Sequence, residues 1–226
     1  MMYNILYSNE NQPELNFEQS LLPEVLVTAE RPLSAASDQI IRNQDFIHLP
    51  RRNASDIMRV IPGLHITQHT GGAKAHQIFL RGFDAEHGQD VAAYLDGIPL
   101  NETSHVHGQG YLDLHFIIPY AIEKVWTIKG SYDAQYGNFA TAGVINFIPY
   151  KSQKHTAHLF GSAGNKNSYE SYAGWFPKYK YESYNCSTLL YTYAGFTDGY
   201  TTPGTTKSLK SFLYHTIHLS NRSRIS

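Results

Sequence analysis

The sequence predicts an α+β domain, a small mixed sheet with short helices, followed by the first strands of an antiparallel sheet. Three observations predict it. One capped helix pattern stands among several short β-branched runs between residues 33 and 150. A glycine-spaced segment, "YGNFATAGVINF" (Tyr136 to Phe147), then closes that region with a buried-strand signature. Beyond Lys151 the texture changes to alternating apolar and polar residues rich in tyrosine, as in a sheet with one apolar and one wet face.

The elements follow in order. Met1 to Leu22 is polar and reads as a flexible tail. "PEVLVTAERP" (Pro23 to Pro32) offers a short extended segment bounded by prolines, which discourage helix. That segment is read two ways, as a strand added to another protein's sheet edge or as the first strand of the domain. A short helix is expected from Ser37 to Phe46. A better one lies in "NASDIMRVIPGL": Asn53 is the N-cap, Asp56 stands in the first turn, Ile57, Val60 and Ile61 share a face, and Pro62-Gly63 stops it. Strands are expected at Leu64 to Gln68, Gln77 to Arg81, Val91 to Leu95, Lys124 to Lys129 and Val144 to Ile148, with a turn at Asp96-Gly97. "HTAHLFGSAG", "YESYAGWF", "NCSTLLYTYAGF" and "SLKSFLYHTIHLS" then form a meander with polar turns such as "NKNS" and "TDGYTTPG".

Bulk properties narrow the function. With 42% hydrophobic and 16% charged residues the 226-residue chain holds folded material, and 18 basic against 19 acidic residues argue against a nucleic-acid partner. The single cysteine, Cys186, excludes an internal disulfide and a multi-cysteine zinc site. Eight of the 17 tyrosines fall between Tyr169 and Tyr200, and tyrosine suits the aromatic girdles of membrane barrels. No run approaches the roughly 20 apolar residues of a membrane helix. The opening "MMYNILYSNENQPELNFEQS" has neither a basic first region nor a sustained apolar stretch, so no export signal is recognised in it.

Six blocks in order, "VLVTAERP", "ASDIMRVIPGLHI", "QIFLRGF", "AAYLDGIPLNE", "IPYAIEKVWTIKG" and "AQYGNFATAGVINF", resemble the plug domain of TonB-dependent outer-membrane receptors. The resemblance implies a tail (1–22), a TonB-box-like segment (23–32), a plug (33–150) and the first strands of a truncated transmembrane β-barrel (151–226), with the crossing from plug to barrel near Pro149 to Lys154. It implies that Glu24, Val25, Leu26, Val27, Thr28 and Ala29 pair as a strand with the energy-transducing protein TonB. The implied plug motif residues are Pro62, Gly63, Arg81, Gly82, Asp96, Gly97, Gly137, Gly143 and Asn146. Arg81 and Asp96 are candidates both for gating contacts and for plain turn roles. The family's Glu and Arg in the strand after "IPYAIEK" are replaced here by Trp126, Lys129 and Ser131, which puts its ionic contact in doubt.

The implied function is that of an N-terminal part of a receptor whose plug gates ligand uptake (a siderophore, metal chelate, cobalamin or other nutrient) in the outer membrane of a Gram-negative bacterium. Its partners are TonB, membrane lipid around a complete barrel, and the transported small molecule or chelate, with no resident cofactor. Such transporters have about 22 strands of roughly 10 residues, whereas 76 residues follow Tyr150, so a truncated, split or misassembled reading frame is expected. The alternatives are a free-standing plug-like binding module, a non-functional remnant and, more remotely, a histidine-metal enzyme.

Seven of the 12 histidines lie between His65 and His115, and "NETSHVHGQGY" sets His105 and His107 two apart, on one side of an extended strand. These loops supply the candidate ligand contacts: His69, His76, His105, His107 and Gln109, on loops around Thr70 to His76 and Asn101 to Tyr111. Whether they take a metal or form a polar loop is left open. Asp84, Glu86 and Asp90 near His87 are read as a solvated surface. No nucleophile elbow, phosphate-cradling loop or His-Glu-x-x-His helix is present, so no catalytic set is expected.

Overall fold

The computed structural model describes residues 37–69, 74–151, 157–182, 184–199, 204–220 and 223–225. The TonB-box-like segment, residues 24–29, and part of the first candidate loop, residues 70–73, lie outside them.

The first described elements are β1 (Ser37–Arg42) and α1 (Asn43–Phe46), so the helix expected over residues 37–46 is a strand for its first six residues. The reason is tertiary. β1 pairs antiparallel, Ser37 to Lys129 through Arg42 to Lys124, with a strand some ninety residues on, and that ladder outweighs local preference. α2 (Ala54–Met58) forms as expected: Asn53 Oδ1 accepts from the Asp56 N–H at 3.1 Å, and the Asp56 carboxylate accepts from the Asn53 N–H at 3.3 Å. Ile57, Met58 and Ile61 are buried, and each contributes about 1.5–3 kcal/mol relative to exposure.

β2 (Leu64–Thr67), β3 (Gln77–Leu80) and β4 (Phe83–Ala85) make a three-stranded sheet. β5 (Val91–Leu95), β6 (Ile98–Pro99), β7 (Ile122–Lys129) and β8 (Gly143–Pro149) join β1 in a mixed sheet of order β1-β7-β8-β5-β6, in which β5 and β8 run parallel. Arg81-Gly82 and Asp96-Gly97 are two-residue turns with positive φ at both positions (54° and 81°, 49° and 86°), the geometry whose twist matches flanking strands. Gly143 is needed for close approach: a Cβ there would press on the Ile128 carbonyl oxygen and lie 2.8 Å from Leu80 Cδ2. The core of this domain includes Ile57, Ile61, Leu80, Val125, Ile145 and Phe147.

The third sheet comprises β9 (Ala157–Gly164), β10 (Ser168–Trp175), β11 (Lys178–Tyr181), β12 (Tyr184–Thr197), β13 (Thr206–Ser220) and β14 (Ser223–Ile225), antiparallel throughout. β10 and β11 both pair with β12 and act as one long strand broken at Phe176-Pro177. Along β12 the faces alternate. Ser187, Leu189, Tyr191 and Tyr193 are buried toward the first domain, while Leu190, Thr192 and Ala194 point away. The outward face gathers Leu159, Trp175, Leu190, Leu209 and Leu213, and Leu159 and Leu209 are each more than four-fifths exposed. Tyr169 and Phe196 pair toward one end of this apolar band, with Tyr179, Tyr181 and Tyr184 toward the other.

An aromatic seam joins the third sheet to the first domain. Ile118 and Ala121 pack with Phe176, Leu189 and Tyr191, and Tyr120 stacks on Tyr172 at 3.9 Å. The Arg51 guanidinium lies 4.6 Å from the Tyr120 ring centroid. Lys151 reaches Asp96 at 3.0 Å and lies over the Tyr214 ring.

Candidate functional site

Three segments of the first domain are tied together by backbone chemistry: residues 74–77, the 3-10 turn Glu86–Gly88, and the loop from Asn101 to Tyr111. The Tyr111 hydroxyl accepts from the Ala75 N–H at 2.9 Å, the Leu112 N–H donates to the His87 carbonyl at 2.9 Å, and Glu102 and Tyr111 bridge across the loop. Asn101 anchors the base. Its Oδ1 accepts from the Ala93 N–H at 2.8 Å, and its Nδ2 donates to the carbonyls of Val91 and Gly110, both at 3.0 Å.

On this frame lies a chain of rings. His105 stacks on Tyr111 at 3.9 Å, His107 follows at 5.3 Å from His105, His87 is 5.4 Å from His107, and His69 is 6.0 Å from His87. His105 and His107 share a side because of a tight turn, not the extended strand expected: the Gly108 N–H donates to the His105 carbonyl at 3.0 Å, and the His107 N–H to His105 Nδ1 at 3.2 Å. Desolvation first, then the charges of Lys74, His105 and His87, hold His107 below the usual histidine range.

His105 and His107 therefore come together, His69 is linked to them only through His87, and Gln109 lies exposed on the same loop as His105 and His107. His76 does not join them. It is buried, bonded through Nδ1 to Ser55 Oγ at 3.0 Å and stacked on His115 at 5.0 Å. Burial, with the neighbouring His115 charge, lowers its pKa to about 4. Burial raises the Asp113 carboxyl, but the hydrogen bonds from the His115 side chain and backbone outweigh it and hold it low. Among the described residues no three His, Cys, Asp or Glu side chains already converge on a metal position.

Sequence reasoning missed His87, Tyr111 and Asn101. His87 was expected on a solvated surface, yet it is buried, because its left-handed backbone (φ 51°, ψ 23°) turns the ring under the loop. The motif residues occupy turns and junctions. Gly63, after Pro62, accepts from the Arg81 N–H at 2.7 Å, Asn146 Oδ1 accepts from the Gly97 N–H at 3.3 Å, and Gly137 (φ 72°) ends a 3-10 turn. Lys129 is buried, its amine held below the usual range by burial and then by Arg81.

Residues 33–144 match the family model of the TonB-dependent Receptor Plug Domain. The fold is similar to solved structures of the ferric yersiniabactin uptake receptor FyuA from Yersinia pestis (18% identity, TM-score 0.60, 80% of this chain and 28% of that one). It is also similar to the siderophore receptor PirA from Acinetobacter baumannii (21%, 0.57, 81% and 29%). A third match is the ferripyoverdine receptor of the outer membrane of Pseudomonas aeruginosa (18%, 0.59, 82% and 23%). The chain thus spans between a fifth and a third of the length of these receptors.

Proposed function

We propose, from the premise that residues 33–144 are a TonB-dependent receptor plug domain, that the chain is the N-terminal part of an outer-membrane receptor whose plug gates the uptake of a siderophore or similar metal chelate. The observation that carries this reading is the seam at which the plug packs, through Ile118, Tyr120 and Ala121, against strands whose opposite face is apolar. A plug held against a lipid-facing wall is a gate only where the wall closes around it, because an open sheet edge in hydrocarbon leaves backbone groups unsatisfied at several kcal/mol each.

Division of labour follows from the parts. Residues 24–29 supply the strand that pairs with TonB through main-chain hydrogen bonds, which tolerate varied side chains. The ring-lined loop bearing His69, His105, His107 and Gln109 meets the ligand. The domain boundaries are 23–32, 33–150 and 151–226, with the 1–22 tail ahead of them. Arg81 and Asp96 hold the turns on which plug movement would act. The relatives' printed ligands, ferric yersiniabactin and ferripyoverdine among them, support an iron chelate as the cargo class.

The test is uptake of radioiron-loaded siderophores by Gram-negative cells carrying the gene in its native context, with and without functional TonB. Accumulation that needs both the gene and TonB supports the reading. Equal uptake with and without the gene across hydroxamate, catecholate and mixed chelates refutes it, as does recovery of the protein outside the outer-membrane fraction.

A further inference from the structure

We propose that His76 is an acid-operated positioning residue of the candidate site. Neutral and stacked on His115, it holds residues 75–77 against α2, and protonation of the stacked pair releases them together with the rings they anchor. The two neighbours of His76 do the anchoring. The Ala75 N–H donates to the Tyr111 hydroxyl at 2.9 Å, and His87 Nδ1 lies 3.1 Å from the Ala75 carbonyl, which can only accept. His69 Nε2 lies 2.6 Å from Gln77 Oε1, and Gln77 donates its amide to Asp84. His105 and His107 join through ring contacts with Tyr111 and His87. Each of these rings therefore depends on where residues 75–77 lie.

What holds those residues is buried. Ala75, His76 and Gln77 are all buried, and His76 Nδ1 meets Ser55 Oγ of α2, itself buried, at 3.0 Å. Ile57 and Met58 fix α2 in the core. A neutral imidazole can either donate to Ser55 or accept from it, whereas a charged ring donates from both nitrogens and leaves Ser55 only the accepting role. His115 stacks on His76 with centroids 5.0 Å apart and planes within 13°. The Asp113 carboxylate accepts from His115 Nδ1 at 2.9 Å and favours charge on that ring, so acid places a cation against the face of His76.

The other charges facing His76 are Asp56 of α2, its C-cap Arg59, and Asp113, which Lys210 of β13 faces in turn. Burial first, and then His115, hold His76 down to about 4 against the pull of both carboxylates. Released into solvent, the ring regains an ordinary value near 6.5. The open form then binds the proton more tightly, and its share rises as the pH falls from 6.5 toward 4. Above pH 6.5 both forms are neutral and the segment stays closed. That the ring-lined loop meets the ligand is the reading proposed above, and the device rests on it for its consequence, a ligand site that loosens in acid.

Hydrogen exchange with mass spectrometry tests it, on the 226-residue chain refolded in detergent and compared at pH 7 and pH 5 after correction for intrinsic rates. Protection of residues 75–78 and 110–112 is expected to fall about tenfold between the two, with β8 unchanged. His76→Gln keeps a hydrogen-bonding partner for Ser55 without a titrating ring and should abolish the fall. His115→Gln, at a half-buried position, removes one of the stacked rings and should reduce it. Unchanged protection at 75–78 in the parent overturns the proposal, as does a fall that extends equally to β8, or one of the parent's size in either variant. The readout is protection rather than uptake, so its failure leaves the chelate reading standing, and a failure of uptake leaves the acid release standing.

Discussion

Asn101 is the residue whose loss tells most about the loop that carries the rings. Its side chain holds three backbone groups, the N–H of fully buried Ala93 and the carbonyls of Val91 and Gly110. Each such bond contributes about 1 kcal/mol net, and a buried donor left unpaired costs more, so Asn101→Ala is expected to destabilise the plug by about 3 kcal/mol. By hydrogen exchange with mass spectrometry, the segment from Val91 to Leu95 should then exchange about a hundredfold faster where opening is rapid relative to exchange. Asn101→Asp is a sharper probe. It keeps an acceptor for Ala93 but turns carboxylate oxygen toward two carbonyls, so its loss should at least equal that of alanine. A loss under about 1 kcal/mol for Asn101→Ala, or an aspartate variant as stable as the parent, would refute the anchoring role.

Three further outcomes are expected. His76 has a folded pKa of about 4 against 6.5 unfolded, so the unfolded chain binds its proton more tightly; stability is full above pH 6.5 and falls between 6.5 and 4. With solvent screening discounted, and with His115, Asp113, Asp56 and Arg59 as the facing charges, the loss is on the order of 1–2 kcal/mol, and His76→Gln should flatten that part of a urea-midpoint profile against pH. Gly143→Ala should cost about 3 kcal/mol because its methyl meets the Ile128 carbonyl and Leu80; a midpoint equal to the parent's would show that β7 and β8 give way freely. Asp96→Asn keeps a residue that tolerates positive φ while removing the ion pair with partly exposed Lys151, so it should cost under 1 kcal/mol, whereas Asp96→Ala should cost about 1 kcal/mol more. Equal losses for the two would place the energy in the pair rather than the turn.

Local chemistry was legible where one or two residues decide the geometry. Asp96-Gly97 closes a two-residue turn because glycine takes positive φ without strain, and Asn53 with Asp56 caps α2 through bonds spanning three residues, whereas the strand expected to run through Arg81 stops at Leu80 and Arg81-Gly82 turns. The strands at Val91–Leu95 and Gly143–Pro149 were readable from β-branched runs, although nothing in those runs says that they lie side by side in parallel. β1 was misread because "SDQIIR" carries no strong preference, and its partner strand stands far along the chain. Within the candidate site the histidines were visible as a cluster in sequence. That His76 turns inward to Ser55 and His87 sits beneath the loop was not, since burial depends on what folds over them.

The order of parts was written into local signals: capped helix, short strands, glycine-spaced close, then alternating tyrosine-rich strands, each readable because turn residues and side-chain period act over only a few positions. Tertiary structure alone decided which face of the wall meets the plug, which histidines face one another, and that Asn101 ties the loop to the sheet. Those facts rest on contacts between residues far apart in the chain, Tyr120 with Tyr172 and Ala75 with Tyr111 among them. Such contacts leave no periodic trace, because any packed partner of suitable shape and hydrogen-bonding capacity satisfies the same local pattern.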